Sequence, residues 1–409
     1  MFTRFKDQYL AAYAGLSKPI WLLAATVFVN RAGTMVMPFM TLYLTREKGL
    51  PIRTAGWALS LYGLGALTGA YFSGRAVDRI GPRRIMVVSL VLTGIAFQFF
   101  AHLTEPDVIL PAMFFLAFIM ESYRPASSTA LGQVAHPKVR ARAFVLLRLA
   151  ANLGMTLGPA LGGFLAVHNY RLLFIVDGAT CWVAAFFLWL LLSRDLDRSA
   201  EKAKERAAKL KGERRPFSDG PFLAFCGLKL FQAMVFFQLF STWPLYFRNV
   251  YGYAEDGIGA FFAINGICVV LFEMQIMRAI ERKNRLKLIG FGSLMICLGF
   301  GLMPWGDSKT WSVFTVLVWT FGEMIAMPLS MAVVADRASE SHRGAYMATI
   351  AMTFSLAYIL APLLGTAVYE RISPDALWHG ITVLGIVLFG GFWLLSSRLG
   401  EPGDRTADV

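Results

Sequence analysis

The sequence predicts an all-α membrane protein in which twelve transmembrane helices form two pseudo-symmetric bundles of six. Three observations predict this fold class. The chain of 409 residues is 56% hydrophobic and only 16% charged, whereas soluble domains are about 45–50% apolar and about 25% charged. Apolar runs recur along its whole length. Glycine, proline and arginine residues of the first half also recur in the second half at a constant offset of 203 positions.

The apolar runs define the helices. A helix of about 20 residues crosses the roughly 30 Å hydrocarbon core of a bilayer, and the sequence lacks the alternation typical of membrane β-strands. The predicted spans are 19–44, 54–74, 84–103, 108–134, 142–167, 171–193, 220–247, 257–278, 286–304, 310–335, 344–369 and 377–397.

The repeat divides the chain at its centre. Residues that kink helices or allow close packing meet their counterparts at matching points of matching spans. We therefore expect a first bundle at 1–193, a cytoplasmic linker at 194–218, and a second bundle with its tail at 219–409. A hydrophobic chain built twice is typical of secondary transporters. The aligned pairs are Leu42-Tyr43 with Leu245-Tyr246, Gly49 with Gly252, Gly56 with Gly259, Gly63 with Gly266, Arg79 with Arg282, Pro125 with Pro328, Arg140 with Arg343, Pro159 with Pro362, and Gly162 with Gly365.

Topology explains the net charge of +13 without a nucleic-acid partner. With the N-terminus inside, the predicted cytoplasmic segments hold 28 lysine and arginine residues and the outer loops hold 7. This asymmetry follows the positive-inside rule. It predicts a multi-pass protein of the cytoplasmic (inner) membrane with both termini cytoplasmic. The basic linker is expected to be a solvated segment with affinity for the anionic headgroups of the bilayer.

A string rich in glycine and arginine follows the second span. We expect its glycines to let the chain turn tightly and its aspartate to cap a helix or pair with an arginine. The string resembles the loop signature of the major facilitator superfamily, with departures at Ala76-Val77 and Pro82. The resemblance implies a conformational latch and two six-helix bundles facing one central cavity. The matching residues are Gly74, Asp78, Arg79, Gly81, Arg83 and Arg84.

Glycines recur every four residues in the fifth span. Because this spacing puts them on one helix face, they permit close helix contact, and the proline among them bends the helix. The string resembles the Gly-x-x-x-Gly-Pro-x-x-Gly-Gly signature of drug/proton antiporters in the same superfamily, which implies export by exchange. A packing ladder with no bearing on direction is the alternative. The fixed positions are Gly154, Gly158, Pro159, Gly162 and Gly163.

Acidic residues at membrane depth are the candidates for proton coupling, because charges there are costly and usually face a cavity. Glu121 and Arg124 lie three residues apart in the fourth span and can pair on one helix face. In the superfamily this span often carries a buried arginine, to which Arg124 corresponds. A permanent structural ion pair is the alternative. The proton-coupling candidates are Glu121, Arg124, Glu323 and Asp177.

Other polar residues at membrane depth are the candidates for substrate binding. The superfamily lines its first-half cavity with spans one, four and five, where the arginines imply a cationic wall. Lys229 shares a helix face with Gln232, and a pair between Lys229 and Glu323 across the cavity is a further hypothesis. The substrate-binding candidates are Asn30, Arg31, Tyr123, Arg148, Asn152, Lys229, Gln232 and Asn265.

The sequence has no phosphate-binding loop, no zinc-protease motif and no Cys/His cluster. We therefore expect neither an enzyme nor an ATP-driven pump, and no metal or cofactor. We expect a monomer that exchanges protons for small amphipathic molecules, a multidrug-type exporter working by alternating access. The alternative is an exporter or flippase of an anionic solute or lipid, such as a siderophore or organic anion. A receptor or scaffold that moves no solute is a third class, which the antiporter-like string disfavours.

Overall fold

The computed structural model describes residues 16–136, 139–192, 216–280, 283–338 and 343–399. Helices and short connections account for all of these residues, so the all-α class is confirmed in the described part of the chain. Of the predicted linker at 194–218, only a 3₁₀ turn at Pro216–Ser218 belongs to the described residues.

The helices follow one another with short connections. Short turns of π or 3₁₀ helix at Tyr43–Glu47, Phe237–Phe240 and Met303–Trp305 adjoin α2, α9 and α12. The α-helices of the described chain are α1 (Lys18–Ala32), α2 (Val36–Leu42), α3 (Ile52–Ile80), α4 (Pro82–Phe100), α5 (Pro106–Glu121), α6 (Tyr123–Val134), α7 (Arg140–His168), α8 (Tyr170–Leu191), α9 (Gly220–Phe236), α10 (Thr242–Asn249), α11 (Glu255–Ile280), α12 (Arg285–Gly301), α13 (Lys309–Arg337), α14 (Arg343–Arg371) and α15 (Pro374–Leu399).

Local sequence explains several helix starts. The side chains of Asn169, Asp219, Asn284 and Ser308 each accept a hydrogen bond from a backbone N–H in the first turn of the helix that follows. Such caps satisfy donors that have no partner within the helix. These helix starts are therefore encoded by short-range chemistry.

Ten helical segments of the described chain are long and apolar enough to cross a membrane. The chain is therefore a multi-pass membrane protein. Two predicted spans, α3 and α12, are helical but do not belong to that set. Glycine, serine, threonine and tyrosine dilute the apolar residues of α3, and α12 has only 17 residues. The count of twelve spans remains a prediction.

The chain divides into two compact units, each dominated by one half of the sequence. The first unit contains the described residues of 1–39, 61–209 and 255–260, and the second contains those of 40–60, 210–254 and 261–409. Each unit thus includes a short segment from the other half of the sequence. The predicted boundaries at 193 and 219 remain a prediction.

The first span is broken, and so is the span that begins the second half. α1 ends at Ala32 and α2 begins at Val36. In the second half, α9 ends at Phe236 and a 3₁₀ turn leads into α10. Shifting the first break by 203 residues places it on the second. A helix break inside a bilayer leaves backbone groups that need partners within the protein.

Each broken span packs against a glycine that the repeat identified. A Cβ on Gly162 would lie 2.9 Å from the Cβ of Met35 in the first break. A Cβ on Gly365 would lie 2.1 Å from the side-chain oxygen of Gln238 in the second. Both residues of the second contact are those of the first shifted by 203 positions. The internal repeat therefore extends to tertiary contacts within each unit.

Candidate functional site

A buried carboxylate holds the break in the first span. Asp177 of α8 is fully buried and accepts hydrogen bonds from the N–H groups of Met35, at 3.1 Å, and Val36, at 3.0 Å. These donors belong to the N-terminus of α2, where the helix dipole favours a negative charge. Asp177, a proton-coupling candidate, thus acts as a helix cap supplied by a distant span.

The glycine ladder of α7 packs along the same break. A Cβ on Gly154 would lie 2.8 Å from the amide nitrogen of Ala32, and one on Gly158 would lie 2.9 Å from its carbonyl oxygen. Gly162 meets Met35 on the other side of the break. Because these neighbours are mostly backbone atoms, a larger side chain has no room without a shift of a helix. The ladder therefore holds both halves of the broken span.

The substrate-binding candidates of the first unit differ in exposure. Asn30 is buried, and Arg31 is half-buried just before the break. The charge of Arg31 acts on the hydroxyl of Tyr123, which is buried and has no hydrogen-bond partner among the described residues. On α7, Asn152 is half-buried and Arg148 is exposed. Arg31 and Tyr123 are therefore brought together in the first unit.

Glu121 and Arg124 form a loose ion pair. Their charged atoms Oε2 and Nη1 are 3.7 Å apart, which is longer than a charge-assisted hydrogen bond. The side chain of Glu121 is 17% exposed and that of Arg124 is 69% exposed. The pairing at a spacing of three residues was predicted from the sequence. The exposure of Arg124 contrasts with the buried arginine that the resemblance implied.

In the second unit, Glu323 binds an amide instead of a lysine. Asn265 Nδ2 donates to Glu323 Oε2 at 2.8 Å and to Thr320 Oγ1 at 3.1 Å. Lys229 donates instead to Gln232 on its own helix. The hypothesis of a pair between Lys229 and Glu323 is therefore wrong in this structure. The shared helix face of Lys229 and Gln232 is as the sequence indicated.

The loop signature turns at one glycine only. Gly81 has a φ of 98°, a conformation that favours glycine, and joins α3 to α4. The expectation of a tight turn at Gly74 is wrong, because α3 continues to Ile80 and a Cβ on Gly74 would meet nothing within 4 Å. Asp78, Arg79 and Arg84 are exposed.

Arg83, the remaining basic residue of that signature, caps a helix end. It is buried, and its Nε and Nη2 donate to the carbonyl oxygens of Leu192, at 2.7 Å, and Trp189, at 2.5 Å. These carbonyls end α8, where a positive charge is favourable. In this structure Arg83 therefore stabilises the first unit internally.

A polar cluster that was not predicted from the sequence lies at the start of α9. Arg337 Nε and Nη2 donate to the two carboxylate oxygens of Asp219 at 2.6 and 2.5 Å, and Tyr346 Oη donates at 2.9 Å. Burial alone would raise the pKa of Asp219, but the hydrogen bonds from Arg337, Tyr346 and the Phe222 N–H together lower it. In the sequence, Asp219 followed by Gly220-Pro221 is a pattern typical of a helix start with an aspartate cap. Its partners Arg337 and Tyr346 lie far along the chain and could not be predicted from that pattern.

Two overlapping stretches of the chain, residues 21–348 and 321–408, match the family model of the Major Facilitator Superfamily. The chain belongs to the Major Facilitator Superfamily. The family resemblance of the loop and fifth-span strings is thereby confirmed. Within this superfamily of transporters, its relatives include an antiporter and a multidrug resistance protein.

The chain is 26% identical over 408 residues to the Na(+), Li(+), K(+)/H(+) antiporter of Planococcus maritimus, covering 91% of this chain and 92% of the relative. It is 24% identical over 392 residues to the multidrug resistance protein MdtH of Cronobacter sakazakii, covering 94% and 95%. A solved structure of a POT family transporter in complex with 5-aminolevulinic acid has a TM-score of 0.76 at 15% identity, covering 95% and 98%. That likeness shows a shared fold.

In this superfamily member the repeat also appears in a second pair of contacts. A Cβ on Gly259 of α11 would lie 2.5 Å from the carbonyl oxygen of Pro159, within the first unit. A Cβ on Gly56 of α3 would lie 3.1 Å from the carbonyl oxygen of Pro362, within the second. The signature proline Pro159 and its repeat Pro362 thus each pack against a glycine near the start of another helix. Among the described residues, no three metal-ligating side chains come together.

Proposed function

We propose that this facilitator is a proton-coupled exporter of small amphipathic molecules that works by alternating access. The printed names of its relatives, an antiporter and a multidrug resistance protein, support exchange and drug export. The fifth-span signature supports the outward direction, and its tight contacts with the broken first span give it a structural role in the same unit.

The observation that carries the proposal is the geometry of Glu121 and Arg124. A structural ion pair buried in a membrane protein needs close contact and further hydrogen bonds to offset desolvation. Here the charged atoms are 3.7 Å apart and the guanidinium is mostly exposed. Arg124 is thus free to move away from Glu121 when a substrate or a rearrangement engages it. Glu121 can then accept a proton, because the positive charge that favoured its ionised form has moved away.

We further propose twelve spans in the inner membrane, with both termini cytoplasmic and one chain as the working unit. The excess of basic residues in the predicted inner segments supports this orientation. One proton entering down about 100 mV supplies about 2.3 kcal/mol. This energy sustains a gradient of about 50-fold in an uncharged substrate, which is adequate for efflux of a toxic amphiphile.

The test is a pH-jump assay in proteoliposomes with Glu121→Gln. We expect the variant to lose proton-driven accumulation of a lipophilic substrate while still equilibrating that substrate down its own gradient. The matched control is Glu105→Gln, an exposed acid that precedes α5 and whose side chain makes no capping hydrogen bond. Normal coupled transport by Glu121→Gln would reject Glu121 as the proton carrier.

The second candidate is transport of an anionic solute or lipid. Arg124 of the first unit, whose side chain is 69% exposed, favours it, because exposed arginines bind carboxylates and phosphates through paired donors. Competition among anionic, zwitterionic and cationic amphiphiles in the same assay separates the two candidates. Omission of Na⁺ and K⁺ tests whether a metal cation is the exchanged species, as the name of one relative suggests.

A further inference from the structure

Lys229 is an ionisable residue enclosed by protein at membrane depth. Its side chain is 0% exposed. It lies ten residues beyond Asp219, the cap of α9, and so about 15 Å along the helix axis. Half of a hydrocarbon core is also about 15 Å. The ammonium group of Lys229 would therefore lie near the midplane of the bilayer, where a charge is most costly.

No carboxylate compensates for this charge in the described part of the chain. Lys229 contacts the side-chain oxygen of Gln232, and its Nζ lies 5.5 Å from the ring centroid of Phe354 on α14. Glu323 is engaged with Asn265. A neutral amide and an aromatic ring offer much less than the pairing that a buried ion requires.

The helices around α9 bring no charged group to Lys229. α9 packs against α12, α14 and α15. Of the carboxylates that these helices and the α9 cap carry, Asp219 is engaged with Arg337 and Asp375 with Tyr246, and Glu370 is exposed near the end of α14. The thiols and phenols that these helices carry are Cys226, Cys297, Tyr346, Tyr358 and Tyr369. In the described residues, Lys229 makes its hydrogen bond and its ring contact with other groups, Gln232 and Phe354.

Hydrogen-bond accounting points to a neutral amine. An ammonium group has three donors and no acceptor. The amide nitrogen of Gln232 is also buried, and no acceptor for it exists among the described residues. The pair thus has a surplus of donors. A neutral amine offers a lone pair, which can accept from the Gln232 amide once that amide is turned, an orientation that hydrogen-bond networks assign rather than reveal.

We propose that Lys229, together with Gln232, is a proton-binding site of the second unit, neutral while it is enclosed and protonated when water reaches it. The lone pair of the amine takes a proton from hydronium and later returns it to water, so no other reactant is needed. Since this proposal deepens the proposed proton-coupled export, it adds a second proton site to Glu121. Enclosing the lysine again then requires the proton to leave first.

The direct test needs no substrate. The free energy of unfolding of the wild type and of Lys229→Met is measured in mixed detergent micelles from about pH 6 to about pH 9, below the ordinary range of lysine. If the folded protein holds a neutral lysine, the unfolded chain binds one proton more, and stability rises with pH. We expect the ratio of the two unfolding constants to change by about tenfold per pH unit.

The matched control is Lys287→Met. Lys287 also lies over an aromatic ring, with Nζ 4.7 Å from the centroid of Trp393, but it is exposed. Its removal should change the free energy of unfolding by the same amount at every pH. If the change in the free energy of unfolding of Lys229→Met were also independent of pH, the proposal would be overturned. So would a chain that fails to fold with either methionine or leucine at position 229, because such a chain needs the charge.

Transport separates this proposal from the proposed function. Lys229→Met should equilibrate substrate but respond less to a pH jump, and Lys229→Arg, which keeps a permanent charge, should be the less stable of the two variants. Loss of coupling only in Glu121→Gln, with a flat stability profile for Lys229→Met, overturns the lysine site and leaves export standing. A sloped profile in a protein that moves no tested substrate supports the lysine site and counts against export.

Discussion

The cap at the break of the first span gives the sharpest test of how this fold is held. Replacing Asp177 by alanine removes both acceptors from the N–H groups of Met35 and Val36, at a site with no exposure to water. Replacing it by asparagine keeps the shape. Asparagine retains one carbonyl oxygen but presents an N–H₂ group to the second backbone donor.

The magnitude follows from these two bonds. Each buried donor left without a partner costs about 1–3 kcal/mol. Alanine should therefore destabilise the protein by about 2–6 kcal/mol, and asparagine by about half of that, about 1–3 kcal/mol.

The assay is the free energy of unfolding of both variants in mixed micelles, compared with Asp107→Ala. Asp107 is an exposed acid in the first turn of α5, in the same unit, and its loss should cost at most about 1 kcal/mol. The expected order of stability is wild type, asparagine and then alanine. If Asp177→Ala were as stable as Asp107→Ala, the capping role would be refuted.

Two further predictions concern stability. Because the pKa of Asp219 is lowered, its bonds to Arg337 and Tyr346 stabilise the fold fully above the ordinary carboxyl range, about pH 4. This stabilisation is lost as the pH falls through the pKa of the folded state. The free energy of unfolding of Asp219→Asn should therefore be lower than that of the wild type near neutral pH and approach it in acid. Gly158→Ala should destabilise by about 1–3 kcal/mol, because its Cβ would lie 2.9 Å from the carbonyl oxygen of Ala32. Gly227→Ala, whose Cβ would meet nothing within 4 Å, should instead stabilise by about 0.5–1 kcal/mol, and equal effects in the two variants would contradict the packing argument.

Features that depend on neighbouring residues were accessible from the sequence. The apolar runs predicted the helices, and a spacing of three predicted the contact between Glu121 and Arg124. A spacing of four predicted that the α7 glycines share a face. The end of α3 was predicted six residues too early, because the glycine taken as its end, Gly74, is also tolerated within a helix.

Features that depend on distant residues were not accessible. Asp177 is 142 positions from Met35 along the chain, so the cap that breaks the first span has no local signature. The same applies to Asp219 with Arg337, 118 positions apart. Charge alone suggested a partner for Lys229, but an amide, Gln232, one turn away proved nearer. Opposite charge indicates only that two groups can pair, and packing decides whether they meet.

The two halves of the chain share glycine packing contacts, but their charged residues at membrane depth do not correspond. Shifted by 203 positions, the contact of Gly162 with Met35 becomes that of Gly365 with Gln238. The ionisable residues at membrane depth behave differently, since each has an uncharged counterpart. The pairs are Arg31 with Met234, Glu121 with Met324, Asp177 with Gly380, Thr26 with Lys229, and Met120 with Glu323.

This asymmetry bears on how coupling arises. The two units therefore differ in the ionisable groups that they place at membrane depth. Under the proposed function, each unit would contribute its own proton site, a carboxylate with a loose counter-ion in one and an enclosed amine in the other. A ligand shifts an equilibrium only by its differential affinity for the two states. We therefore infer that the unrepeated charges provide the coupling and that the repeated glycines provide the common movement on which they act.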